Sequence, residues 1–105
     1  MQIKWTDDAK EDLKQIRHYL ARNVSPEYAK KITQEIRDEV HSLKAMPSKG
    51  TLVVELQNLN MTNHRQLLAD QNRIIFERTA DIFYIQVVCH TSMNLQSLLM
   101  RRLLK

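Results

Sequence analysis

The first 45 residues carry two amphipathic helical patterns in succession, and this feature limits the possible folds more than any other. In each segment an apolar residue recurs every three or four positions, as on one face of a helix. The first stripe is Ala9, Leu13, Ile16 and Leu20, and the second is Ala29, Ile32, Ile36, Val40 and Leu43. Thr6 and Ser25 stand at the expected N-caps, and Pro26 suits a first helical position. Two such helices with a short link predict an antiparallel hairpin, whose apolar stripes require a sheet to cover them.

Three segments are expected to form the main strands of that sheet. Gln2–Trp5 alternates polar and apolar residues, which predicts a strand with one buried face. Asn72–Arg78 is a second candidate. Ile82–Cys89 is the strongest, and because it is apolar on both faces we expect it inside the sheet.

The rest of the second half is less distinct. Thr51–Leu56 is a possible short extended piece, Gln57–His64 is predicted as a loop, and Arg65–Leu68 as a strand. Leucines at helical spacing predict a short helix over residues 94–104. The chain is therefore predicted to be one α+β domain, residues 1–105. It has an N-terminal strand, a helical hairpin on a mostly antiparallel sheet of three to four strands, and a short C-terminal helix.

Composition excludes several classes of protein. The single cysteine cannot form an internal disulfide, and the single glycine cannot build a Gly-rich phosphate loop. The four histidines lack the spacing of metal ligands, so we expect no metal and no cofactor. No apolar run approaches the ~20 residues of a membrane span, and the N-terminus lacks a secretory leader. We therefore expect a cytoplasmic protein without a membrane partner.

The charge is unevenly distributed. The chain has 16 Lys and Arg against 12 Asp and Glu, a net charge of +4. The helical segments mix both signs, whereas residues 82–105 contain Arg101, Arg102 and Lys105 and no carboxylate. An anionic partner should therefore be drawn to the C-terminal end.

Four residues could support proton transfer and phosphate binding, since histidine suits the first and arginine the second. His90 is expected just past the strongest strand, and Arg73 opens the strand before it. Arg65 and His64 form a further pair at the start of the preceding strand. Each also has a structural alternative. His90 would be a histidine bonded to the backbone, Arg73 an arginine paired with a nearby acid, and Arg65 with His64 a solvated loop pair. Arg78 is expected to add surface charge for target binding, together with Arg101, Arg102 and Lys105.

Several pieces of the sequence occur in a characteristic order. They are Ala9-x-x-Asp12-Leu13-x-x-Ile16-x-x-Tyr19, Met46-Pro47-x-x-Gly50, Asn72-Arg73-Ile74-Ile75-Phe76 and Ile85-x-Val87-Val88-x-His90. Over nearly the whole chain this order resembles the RelE/ParE superfamily, the toxins of type II toxin–antitoxin pairs. The resemblance implies a cognate antitoxin and growth inhibition.

The resemblance leaves the target open. RelE-like members cleave messenger RNA on the ribosome, and in them an arginine at the position of Arg73 contacts phosphate and a histidine like His90 can be catalytic. ParE-like members inhibit DNA gyrase. The chain lacks the C-terminal tyrosine common in RelE-like enzymes, and His90–Asn94 is similar to a segment of ParE-like chains. The leading expectation is cleavage of mRNA. The alternatives are inhibition of gyrase and a small RNA- or protein-binding domain.

Overall fold

The two amphipathic segments form helices α1 (Asp7–Asn23) and α2 (Pro26–Ala45) in the computed structural model, which describes residues 1–59 and 63–103. Both predicted N-caps are confirmed. The hydroxyl oxygen of Thr6 accepts a hydrogen bond from the amide of Ala9 at 3.1 Å, and that of Ser25 accepts one from Tyr28 at 3.1 Å. These bonds satisfy amides that have no partner within their helix, and they fix where each helix begins.

A five-stranded sheet lies against the hairpin, in the spatial order β1-β5-β4-β3-β2. Its strands are β1 (Gln2–Trp5), β2 (Thr51–Leu52), β3 (His64–Ala69), β4 (Asn72–Arg78) and β5 (Ile82–His90). β1 pairs with β5 in parallel and every other pairing is antiparallel, so the predicted α+β fold is confirmed. The sheet has one strand more than expected because the two-residue β2 adds to its edge.

Other differences from the sequence-based expectation are local. The piece predicted over residues 51–56 divides into β2 and a 3₁₀ helix (Val54–Leu59). The prediction of a loop over residues 57–64 is wrong at both ends, because the segment begins in that helix and ends in β3. Residues 60–62 lie outside the described residues. The C-terminal helix α3 spans Leu95–Leu103. No helix in the described ranges is long and apolar enough to cross a bilayer.

Both faces of the sheet are covered, which explains why β5 is apolar on both sides. On the first, the hairpin face, α1 and α2 pack on a core that includes Leu67, Ile74, Phe76, Phe83, Ile85 and Val88. On the second, the C-terminal face, α3 and the 3₁₀ helix pack on Ile75, Val87 and Cys89. A residue's face therefore decides which helices it meets.

A bulge in β5 changes which residues share a face. Ile75 is opposite Val87 and Phe76 is opposite Ile85, so Gln86 is an extra residue in β5. An extra residue reverses the alternation of side chains beyond it. Val87 and Cys89 therefore lie on the C-terminal face, and His90 is directed to the opposite side.

Candidate functional site

The structure places the predicted site residues in four separate locations. Arg73 lies on the C-terminal face, and His64 is buried in β3. Arg65 and Arg78 share a small pocket on the hairpin face. His90, Arg101 and Arg102 line one groove, and Lys105 lies outside the described residues.

Arg73 is held by an ion pair within the chain. Its Nη1 and Nη2 donate to the two carboxylate oxygens of Glu55 at 2.9 and 3.0 Å, and its Nε and Nη2 donate to Oε1 of Gln66 at 2.9 and 2.5 Å. These bonds use four of the five guanidinium N–H groups. The bond to Arg73 holds the pKa of Glu55 below its ordinary value, and the same bond raises the pKa of Arg73. Arg73 therefore fits the alternative of an arginine paired with an acid, and that acid is Glu55, 18 residues away along the chain.

His64 opens β3, but its side chain is buried and not in a loop. Only 4% of the residue is exposed, and its Nε2 lies 2.9 Å from Oε1 of Gln86 at the bulge. Among the described residues its Nδ1 has no hydrogen-bond partner. The imidazole therefore helps to order the bulge, and a substrate would have to displace the structure around it to reach it.

Arg65 and Arg78 come together, although the sequence did not pair them. Arg65 is opposite Phe76 in the β3–β4 register, whereas its neighbour His64 points to the other face. The two arginines and Lys49 line a pocket of about 270 Å³. Arg78 also lies over the ring of Phe83, 5.9 Å from its centroid.

A wide concave feature bearing predicted site residues is the C-terminal groove, which we define as the cleft lined by α1, the first turns of α2, the end of β5 and α3. Its volume is about 670 Å³. Ile16, Ile32 and Val88 give it an apolar floor, and His90 and Arg101 stand at its exposed rim. A groove of this size with an apolar floor and a few polar groups is typical of a binding site.

His90 is accessible but already engaged in hydrogen bonds. The amide of Ser92 donates to Nδ1 at 3.0 Å, and the hydroxyl of Ser92 lies 2.7 Å from the same nitrogen. Because Nδ1 accepts from an amide, the proton of the neutral ring is assigned to Nε2, which lies 3.1 Å from Oε1 of Gln71. These contacts fit the alternative of a strand-end histidine bonded to the backbone. His90 is the last residue of β5 and does not follow the strand.

Arg102 has a counter-charge that sequence distance concealed. Its guanidinium donates to both carboxylate oxygens of Asp12, at 2.5 and 2.6 Å, across 90 residues of chain. The expectation of uncompensated charge is therefore wrong for Arg102. The hydrogen bond to Asp12 raises the pKa of Arg102. Oδ2 of Asp12 also accepts a hydrogen bond from the amide of Val88 at 2.9 Å. Val88 lies beyond the residues of β5 that pair with β1, so the carboxylate takes the place of a strand partner there.

Sequence reasoning did not single out Asp12 as a site residue. Its local signals were only its place beside Leu13, at the margin of the apolar stripe of α1, and its place in the piece Ala9-x-x-Asp12-Leu13. Gln66, Gln71 and Gln86 carried no signal, since an uncharged amide fits an exposed strand or turn equally well.

Solved structures share this fold. A structure described as the chromosomal ParDE TA system from P. aeruginosa is 23% identical, with a TM-score of 0.71, over 86% of this chain and 95% of that one. The YoeB dimer from Staphylococcus aureus is 18% identical, with a TM-score of 0.56, over 86% and 94%. A comparison with curated protein sequences gives no significant match. Both likenesses show that this chain shares the fold of these two proteins.

The family itself follows from the sequence. The family model of the ParE toxin of the type II toxin–antitoxin system parDE matches residues 3–95. The chain belongs to this family of toxins, and membership implies a cognate antitoxin.

Proposed function

We propose that this toxin arrests growth by binding a protein target, DNA gyrase, and that it does not act by cutting RNA. The observation that carries the proposal is the separation of Arg73 from His90. They stand on neighbouring strands at the same end of the sheet, but Arg73 is opposite Cys89 on the C-terminal face and His90 is directed to the other side. One phosphate cannot contact both side chains in this arrangement.

The chemistry of RNA cleavage supports this conclusion. A cation and a proton-transfer group must both lie within hydrogen-bond reach of the same reacting phosphate. Arg73 would first have to break its pair with Glu55, and Arg102 its pair with Asp12. An inhibitor needs no such constellation, since its affinity comes from a complementary surface. Gyrase is proposed as the target because the chain resembles ParE-like toxins, which inhibit gyrase. A cytoplasmic location is part of the same proposal.

The C-terminal groove is proposed as the binding site of the antitoxin. Tyr19 and Met93 line it and are 62% and 51% exposed, so a partner would remove large apolar surfaces from water. Arg101 at the rim would favour a partner segment with an acidic residue. This arrangement predicts an amphipathic helix or extended segment of the antitoxin across α1 and α3.

A second candidate function, metal-independent cleavage of mRNA, is favoured by the placement of His90 and Arg101 in one groove. There an exposed imidazole and an exposed cation could meet the same RNA strand, without Arg73 or His64. On this alternative the toxin would be an endonuclease acting on RNA or the ribosome.

One induction experiment separates the two functions. The toxin is induced without its antitoxin, and plasmid DNA and total RNA are taken from the same arrested culture. We expect altered plasmid topology with intact transcripts, and inhibition of purified gyrase at near-stoichiometric toxin. Transcripts cut at defined sites, with unchanged plasmid topology, would instead establish the nuclease.

His90→Ala sharpens the experiment, with His18→Ala as the matched control on the exposed side of α1. On the proposed function both variants remain toxic. Loss of a proton-transfer histidine would lower a cleavage rate by ~10²–10⁴-fold. Loss of toxicity in the His90 variant alone, at equal soluble expression, would contradict the proposal.

A further inference from the structure

A second groove, on the helical hairpin, is lined by four Lys and Arg side chains. We define the hairpin groove as the cleft of about 440 Å³ between α1 and α2. Its charged lining consists of Lys10, Lys14, Arg17 and Arg37, all exposed, and His41 lies beside them. Trp5, at the end of β1, also lines it, and its ring is partly buried against the core.

The arrangement follows from helical spacing that the mixed composition of these helices conceals. Positions 10, 14 and 17 fall on one face of α1, and positions 33, 37 and 41 on one face of α2. The cations of α1 thus form a row about 10 Å long, at 1.5 Å per residue. On α2 the facing positions present one cation, Arg37, between Thr33 and His41. Within the charge-mixed hairpin, four of the cations therefore lie together along one groove.

Two acidic residues of α2 are bonded outside the groove. Within residues 1–59 and 63–103, no carboxylate lines the hairpin groove. Asp38 accepts a hydrogen bond from Gln34 at 2.9 Å, and Glu39 pairs with Lys49 at 2.6 Å. The ion pairs of Lys49, Arg73 and Arg102 use carboxylates that do not line the groove.

We propose that the hairpin groove binds the phosphodiester backbone of a nucleic acid. The row of cations on α1, with Arg37 opposite, can follow a chain of phosphates, and a fixed aromatic ring offers a surface on which a base can stack. An acidic peptide would meet the same charges but would gain less from the flat ring of Trp5. The site is separate from the C-terminal groove and does not depend on the proposed function, since DNA held by a target and mRNA carry the same backbone.

Trp5 supplies a direct assay, because it is the only tryptophan in the chain. The emission of the full-length toxin is titrated with a 12-nucleotide single strand and with a 12-base-pair duplex, at several salt concentrations. We expect either or both to change the Trp5 emission, with an affinity that falls as salt rises. The comparison of strand and duplex identifies the preferred form of the backbone.

Matched variants locate the binding. Lys14→Gln/Arg17→Gln removes two cations of the groove, and Lys30→Gln/Lys31→Gln removes two exposed cations of α2 outside it. Each phosphate that a variant no longer neutralises should reduce the magnitude of the salt slope by about 0.7 for a single strand or 0.9 for a duplex. We therefore expect a decrease of about 1.4–1.8 in the first variant and little change in the second. Circular dichroism checks that both variants are folded.

Three outcomes would overturn the proposal. One is an unchanged Trp5 emission in the wild type with both oligonucleotides at low salt. Another is an equal decrease in affinity in the two folded double variants, which would reveal a diffuse effect of net charge. The third is polyglutamate that displaces the oligonucleotide at an equal concentration of charge, which would assign the groove to an acidic peptide.

Discussion

Replacing Asp12 with alanine should destabilise the toxin more than removing the charge of Glu55, Glu39 or another half-buried or exposed carboxylate. The carboxylate of Asp12 joins three elements: it lies on α1, it accepts from the amide of Val88 in β5, and it receives both guanidinium arms of Arg102 from α3. Asp12→Ala removes all these bonds together and leaves a positive charge without its partner.

The magnitude follows from burial. The side chains of Asp12 and Arg102 are 11% and 19% exposed. Removing one member of a fully buried pair costs about 3–5 kcal/mol, and an exposed pair is worth about 0–1 kcal/mol, so this pair should lie between them. The unpaired amide of Val88 adds about 1 kcal/mol. We expect a total loss of about 2–4 kcal/mol, which for a domain of this size lowers Tm by roughly 8–16 °C.

The assay is urea denaturation of the wild type, Asp12→Ala, Arg102→Ala and the double variant. Coupling between the two positions should be about 1–3 kcal/mol, because each residue's main partner is the other. Glu11→Ala is the matched control, since its only described hydrogen bond is a 3.5 Å contact with Gln15, and it should change stability by less than about 0.5 kcal/mol. A loss as small as the control's in Asp12→Ala, or additive single effects, would refute this reasoning.

Three further predictions concern the other constrained positions. The hydrogen bond from Arg73 holds the pKa of Glu55 below its ordinary 4.5, so the stability this pair contributes is present at neutral pH and is lost as the pH falls through the folded-state pKa. Glu55→Gln should therefore flatten the acid side of a profile of stability against pH. An unaltered profile would show that this pair does not contribute to stability. Gly50 has φ = 111°, and an added Cβ would lie 3.1 Å from Phe76. Gly50→Ala should lower the free energy of unfolding by about 1–3 kcal/mol. A neutral effect in thermal denaturation would argue against this backbone conformation of Gly50. Burial raises the pKa of the Cys89 thiol, so iodoacetamide should modify it slowly at pH 8 and rapidly in urea; equal rates would place the thiol at the surface.

Much of the fold was predictable because its signals are local. The apolar stripes and hydroxyl caps of α1 and α2 are contained within each helix, and the prediction for β4 agrees with the structure at both ends. The segment Val54–Leu59 was missed because six residues of mixed polarity suit a short strand and a 3₁₀ helix equally. Local pattern could not decide between them.

The site was less predictable because it depends on contacts between distant residues. Asp12 lies 90 residues from Arg102, and Glu55 lies 18 residues from Arg73. The bulge at Gln86 also reverses the alternation in β5, so counting residues along the strand gives the wrong face for those beyond it. Sequence alone therefore named suitable side chains without showing which of them meet.

The parallel pairing of β1 with β5 also has a consequence for the timing of folding. Residues 2–5 pair with residues 82–85, and the hydroxyl of Thr6 donates to the carbonyl oxygen of Ile85, 79 residues away. At about 5–20 residues per second, the ribosome needs roughly 4–16 s to make the partner of the first strand. Until then the stripes of α1 and α2 lack the finished sheet that covers them. In a protein that harms the cell producing it, this delay separates the start of synthesis from the completion of the toxic fold, and it leaves an interval in which a nearby antitoxin can meet the unfinished chain.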